Sequence, residues 1–178
     1  ADEIKTPPIS TDRKEFADAE KEVIERLEKL LIIKGKQTAS SFHKRLGEIM
    51  WHYCGMIRSK EGLEKGLGLI KELKDEFWKD LNVPGTYKEL NMELEKAGRV
   101  ADYLDFAQLL ITDALNRNES CGAHFREEYQ TSEGEALRND EEYSYVAAWE
   151  YAGEDKKPVL HREYLKYEEV EPKVRSYK

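Results

Sequence analysis

The chain has 178 residues, 37% of them charged, and a formal net charge of −8, enough length for one ordinary domain with an appendage and a real core. The acidic balance, with basic residues dispersed among the acidic ones, excludes the basic face that phosphate binding needs, and with it nucleic acid as a partner. The longest apolar run, Leu30 to Ile33, is far short of the ~20 residues of a membrane span, so no direct membrane insertion is expected. Two cysteines, Cys54 and Cys121, without a C-x-x-C pair point to a reducing compartment.

The chain opens on Ala1-Asp2-Glu3 without an initiator methionine, and Lys5-Thr6-Pro7-Pro8 reads as extended linker. Residues 1–10 are therefore expected to be a linker within a longer polypeptide. From Asp12 the apolar residues Phe16, Ala19, Val23, Ile24, Leu27, Leu30 and Leu31 recur at steps of three and four, the period of one buried helix face. Asp12 with Glu15 predicts a capping box, and Gly35 a stop. A second helix is predicted from Ser40 or Ser41, through Phe42, Leu46, Ile49, Met50, Tyr53 and Ile57. Ser59 caps a third, with Leu63, Leu67, Ile70, Leu73, Phe77 and Leu81 in register, ended by Asn82-Val83-Pro84-Gly85. The fourth is predicted from about Thr86 to Asn116, roughly 45 Å long at ~1.5 Å per residue.

Short connections between long helices force antiparallel neighbours. Residues 11–129 are thus expected to form a mainly α, up-and-down three- or four-helix bundle, and residues 130–178 a loop with a small β-hairpin. Residues 131–140 read as polar loop, and 143–151 and 159–167 as strands about a turn at 153–158. An isolated hairpin is marginal in water, so it must lie on the bundle or on a partner. Seven of the ten tyrosines fall from Tyr129 onward, a composition that suits a docking face.

No Glu-x-x-His occurs, so a di-iron bundle site has no sequence basis. His43 and His52 are nine residues apart and point to opposite faces of one helix at ~100° per residue. Cys121 and His124 have the spacing of half a zinc site without the other half, and as a Cys-His nucleophile pair they lack a third orienting group. Gly62, Gly66 and Gly68 fall inside a helical period with no strand before them, unlike a phosphate loop. No catalytic, cofactor-binding or metal-ligating residue is assigned. At the junction of residues 116–129, Gly122 fits a turn with positive φ. His124 and Arg126 fall on one side of an extended chain, positioned to reach a partner. Glu119, Ser120, His124 and Arg126 are the docking candidates.

Three stretches carry a family resemblance: Gly-Glu-Ile-Met-Trp-His-Tyr-Cys-Gly-Met-Ile-Arg-Ser-Lys-Glu-Gly-Leu at 47–63, Glu-Ser-Cys-Gly-Ala-His-Phe-Arg-Glu-Glu-Tyr at 119–129, and Glu-Pro-Lys-Val-Arg-Ser-Tyr at 171–177. The chain resembles the C-terminal region of the flavoprotein subunit of succinate dehydrogenase and fumarate reductase. That resemblance implies a spectrin-repeat-like bundle with a C-terminal extension. It also implies a parent that interconverts succinate and fumarate, carrying electrons through FAD and an iron–sulfur subunit to a quinone-linked membrane anchor. The implied location is cytoplasmic, peripheral to the inner membrane through partner subunits. The family's Gly-rich dinucleotide motif, flavin-linking histidine and substrate-binding residues belong upstream, so no cofactor is expected in this chain and none of those roles transfers to it. Its partner would be the upstream flavin-binding domain of the same subunit. The family pattern Glu-Ser-Arg-Gly-Ala-His has arginine where this chain has Cys121, leaving Arg126 as the nearby charge. Two other readings are a free-standing helical interaction module, which an upstream Gly-rich segment would exclude, and the related region of an aspartate oxidase, against which the long tyrosine-rich extension speaks.

Overall fold

Helices form where the apolar period predicts them: α1 (Lys14–Ile32), α2 (Ala39–Tyr53), α3 (Lys60–Asp80) and α4 (Met92–Asn116), then a one-turn α5 (Asp140–Tyr143) and the strands β1 (Tyr145–Glu150) and β2 (Val159–Tyr164). The chain is mainly α, a helical bundle with a small antiparallel hairpin. The structure, a computed structural model, describes residues 9–153, 156–170 and 172–173. The expected linker at Lys5 to Pro8, Glu154 and Asp155 of the expected turn, and most of the 171–177 ending lie outside the described residues.

The helix ends differ from the sequence reading for local reasons. No capping box forms at Asp12, whose carboxylate takes the Ser10 hydroxyl; α1 starts one residue beyond Arg13 with no side-chain cap. Gly35 is the expected stop, but it is Lys34, with φ 53°, that takes the left-handed conformation after α1. Gly35 is needed for space instead, because a Cβ there would lie 2.1 Å from the Asp80 carbonyl carbon. Thr38, not Ser40 or Ser41, caps α2 by accepting the Ser41 amide on Oγ1 at 3.2 Å. Ser59 caps α3 as predicted, its Oγ accepting the Gly62 amide at 3.1 Å. The fourth helix begins at Met92 and not Thr86, because Asn91 accepts the Leu94 amide at 3.0 Å and holds the Pro84 and Thr86 carbonyls through Nδ2. Its 25 residues span ~37 Å, not 45.

The residues group into two compact units, each made of two stretches of chain. The first combines Ala1–Glu48 with Leu69–Gln108. Its core holds Leu30, Phe42, Leu46, Ile70, Leu73, Phe77, Leu81, Val83 and Leu104, with Phe42 and Phe77 edge to face at 5.2 Å. Arg45 grips Glu76 through two bonds of 2.6 Å. The expected apolar face of α1 is largely unburied: Phe16 is 47% and Val23 58% exposed, and Leu30 is the buried residue of that helix. The first turns of α1 stand in water beside the pairs Lys14–Asp18 and Lys21–Glu25.

The second unit combines Ile49–Gly68 with Leu109–Lys178. Cys54, Leu63, Ile111, Ala114, Tyr143 and Tyr145 are buried in it, whereas Ile57, expected in register, is exposed. Gly66 lets α3 approach closely, since a Cβ there would sit 2.8 Å from the Tyr53 Cβ and 3.2 Å from the Ile111 Cδ1. Residues 62, 66 and 68 are therefore helix positions within α3 and not a phosphate loop. The polar stretch 131–140 ends in α5, whose cap Asn139 accepts the Glu142 amide. In the hairpin, Tyr145 pairs with Tyr164 and Trp149 with Leu160. It rests on the end of α4, as hairpin marginality requires: the Trp149 indole donates to Asp113 at 2.7 Å, and the Asn116 amide to the Tyr145 hydroxyl at 3.3 Å.

Candidate functional site

The candidate site lies wholly within the second unit, where the chain leaving α4 folds back on the end of that helix. Cys121 and His124 exchange backbone bonds of 2.8 and 3.1 Å around a two-residue turn with Gly122 at φ 59°. Glycine suits the first central position of such a turn because an L side chain there is strained. Beyond the turn, residue 126 pairs with Arg58 as a parallel bridge, through Arg58 N–H to Phe125 C=O at 3.0 Å and Glu127 N–H to Arg58 C=O at 2.8 Å. This bridge ties the α2–α3 connection to the stretch after α4.

Ser120 is buried and closes the turn from within, its Oγ accepting the Arg126 amide at 2.8 Å and donating to the Arg126 carbonyl at 3.2 Å. The Arg126 side chain is 1% exposed. Its Nε donates to Glu128 at 3.0 Å and its Nη1 to the Ala114 carbonyl at 3.1 Å. The last turn of α4 has no basic residue of its own, so Arg126 supplies the positive charge that helix carbonyl ends favour. Glu128 in turn accepts the Lys60 amide at the start of α3. Burial pushes the Glu128 carboxyl up, but the Lys60 amide and the Arg126 guanidinium outweigh it and hold it below its ordinary range.

Glu119, also 1% exposed, accepts Arg117 Nε at 2.9 Å and the Asn139 amide at 2.9 Å. Arg117 Nη2 donates to the Tyr143 carbonyl at 2.6 Å, and its guanidinium lies over the Tyr143 and Tyr145 rings. His124 bridges two helix-end groups: Nδ1 meets Arg58 Nη1 at 3.0 Å and Nε2 meets the Arg117 carbonyl at 2.9 Å. A guanidinium only donates, so Nδ1 accepts and Nε2 carries the proton. Burial lowers the His124 pKa, and the charges of Arg58, Arg126 and Arg117 lower it further, against the pull of the Arg117 carbonyl. The imidazole is held neutral. With both ring nitrogens engaged, it has none left to activate the Cys121 thiol.

Beside these groups opens a cleft of about 320 Å³ lined by Arg58, Leu110, Asp113, Ala114, Arg117, Cys121 and His124. Cys54 is buried near Arg58; burial raises its thiol pKa and Arg58 opposes the rise. No cluster of three or more metal-ligating side chains occurs among the described residues, and none of their helices is long and apolar enough to cross a membrane.

The structure brings together all four docking candidates but turns three of them inward. His124 and Arg126 do share one side of the chain, yet that side faces the end of α4, where both approach the Arg117 carbonyl, at 2.9 and 3.5 Å. Arg126, expected to reach a partner, is buried against this helix end, because its orphan carbonyls claim the arginine's donors. Glu119 and Ser120 are likewise interior, and His124 is half-buried. Sequence reasoning missed Arg58, which meets His124 66 residues along the chain, and Arg117 and Glu128, each of which pairs with a buried residue two positions away. His43 and His52 are both exposed, against Tyr103 and Tyr53.

The succinate dehydrogenase flavoprotein subunit of Bacillus subtilis is 27% identical over 83% of this chain and 24% of its own length. The fumarate reductase flavoprotein subunit of Helicobacter pylori is 31% identical over 83% of this chain and 20% of its own. The chain thus spans less than a quarter of these relatives. A solved E. coli quinol fumarate reductase shares the fold with a TM-score of 0.69 at 20% identity, over 93% of this chain and 27% of that one. Residues 43–177, which include the whole junction, match the family model described as fumarate reductase flavoprotein C-term, and the chain belongs to that family.

Proposed function

We propose that this chain is the C-terminal helical domain of a succinate dehydrogenase or fumarate reductase flavoprotein subunit and acts there as a docking scaffold. Residues 11–129 form its helical domain and 130–178 its extension. The parent interconverts succinate and fumarate, with electrons passing through FAD and an iron–sulfur subunit to quinone, peripheral to the cytoplasmic face of the inner membrane. The observation that carries this reading is the family match across 43–177.

The residues present do not fit FAD. A dinucleotide site needs a strand, a Gly-rich turn and a helix N-terminus for the pyrophosphate, whereas the glycine cluster here lies within α3. The cofactor belongs to the upstream part of the parent, and this chain supplies shape and charge to it. Glu119, Ser120 and Arg126 contribute by fixing the junction; His124 and Arg58 stand at the cleft beside it.

Separate production of this chain and of the upstream part tests the reading. The two should co-purify, and this chain alone should neither bind FAD in calorimetry nor reduce a dye with succinate. Micromolar flavin binding with turnover by this chain alone would overturn the proposal, as would failure to associate with the upstream part.

A further inference from the structure

We propose that the cleft beside the junction is a binding site for a single carboxylate group, with Arg58 as its anchor. The arginines of the junction differ in how they are matched. Arg117 is paired with Glu119 and Arg126 with Glu128. Arg58 is half-buried, bonds the Gly55 carbonyl at 3.0 Å and neutral His124 at 3.0 Å, and pairs with no carboxylate among the described residues. Those bonds use two of its five N–H groups, and the residue lines a cleft of about 320 Å³.

The lining defines the ligand. The fork of a guanidinium matches a planar carboxylate. Leu110 and Ala114 give the cleft an apolar wall, which suits a short alkyl stem. Asp113 lines the same space, its carboxylate held by the Trp149 indole. A second negative charge on the ligand would meet it. The site therefore takes a short aliphatic monocarboxylate, or one acidic side chain of a polypeptide, and disfavours dicarboxylates and polyphosphates. His124 is a positioning residue: its Nδ1 lone pair fixes the guanidinium plane.

Titration of the nitrogen-15-labelled 178-residue chain with sodium acetate, at ionic strength held constant with sodium chloride, tests this. The Arg58 Nε–H and His124 ring resonances should shift saturably. Malonate should bind no tighter than acetate. Arg58→Gln should weaken acetate binding about tenfold or more, the loss expected for a charge-assisted pair, with Arg58→Lys between. A linear response to acetate, the same response to chloride, or an unchanged affinity in folded Arg58→Gln would overturn the site; the wild-type titration decides alone if the variant does not fold. Repeating the titration with the upstream part bound identifies the source. Loss of the acetate response assigns the group to an acidic side chain of that part, and its persistence assigns it to a free monocarboxylate. If the upstream part does not bind at all, the docking reading fails while the acetate result still stands.

Discussion

Replacing Arg126 by alanine is the sharpest test of the buried junction. The side chain is 1% exposed and makes two well-formed bonds, to Glu128 at 3.0 Å and to the Ala114 carbonyl at 3.1 Å. Hydrogen bonds to charged groups contribute ~1.5–3 kcal/mol each, and an orphaned buried acceptor costs ~1–3 kcal/mol. Glu128 is 38% exposed on its side chain and keeps the Lys60 amide, so its bond counts at the low end. The Arg117 carbonyl at 3.5 Å is too far to add much. The sum is about 3–4 kcal/mol, within the range for breaking a buried ion pair. At ~2–4 °C per kcal/mol for a chain of this size, the melting temperature should fall by about 10 °C. Scanning calorimetry measures it, with Lys21→Ala as a control because Lys21 pairs with Glu25 in open solvent. A fall for Arg126→Ala no larger than the control's would refute the capping role and restore an outward-reaching arginine.

Acid should loosen the protein through His124. Its folded pKa lies below the ordinary 6.5, so the unfolded chain takes the proton first, and stability present above about pH 6.5 is lost as pH falls. The melting temperature should drop more steeply between about pH 7.5 and 5.5 in the wild type than in His124→Gln; parallel slopes would contradict this. Gly35→Ala should destabilise by about 1–3 kcal/mol, the usual cost of overpacking, because its Cβ meets the Asp80 backbone. Gly68→Ala should gain about 0.5–1 kcal/mol, since nothing lies within 4 Å of its Cβ on α3, and urea unfolding of both variants would show whether the signs differ. Trp149→Phe removes the 2.7 Å bond to Asp113. Amide exchange in β1 should then speed up about tenfold, and unchanged protection there would show that the bond does not hold the hairpin.

The helices were legible because their apolar residues recur at helical spacing: Leu63, Ile70, Leu73 and Phe77 of α3, and Leu81 just past its end, are all buried as that period requires. The same pattern misled at α1, where Phe16 and Val23 lie on a helical stripe yet stand exposed. Periodicity shows that a face is apolar, not that this chain covers it. Helix starts were less legible because caps compete. Asp12 turned to Ser10, and Asn91, whose side chain also gathers the preceding turn, displaced the start expected at Thr86. At the site, the residue types and the Gly122 turn were readable, but the direction of Arg126 was not. Its partners are a helix-end carbonyl and a carboxylate, and no local pattern marks a carbonyl as orphaned. Arg58 was hidden for a related reason, since its bond to His124 joins residues 66 apart.

The two compact units interleave along the chain: Ala1–Glu48, then Ile49–Gly68, then Leu69–Gln108, then Leu109–Lys178. The stretch carrying Arg58 is therefore made well before the stretch that completes its unit. During synthesis at ~5–20 residues per second, the interval between Arg58 and Arg126 amounts to several seconds. For that time the α2–α3 connection has no strand partner, and neither unit can be excised by a single cut or translated as an uninterrupted piece. Closing so long a loop adds only slowly to the entropic cost, so the delay is one of timing more than of stability. Order of appearance on the ribosome, and not local helix propensity, sets when the junction can assemble.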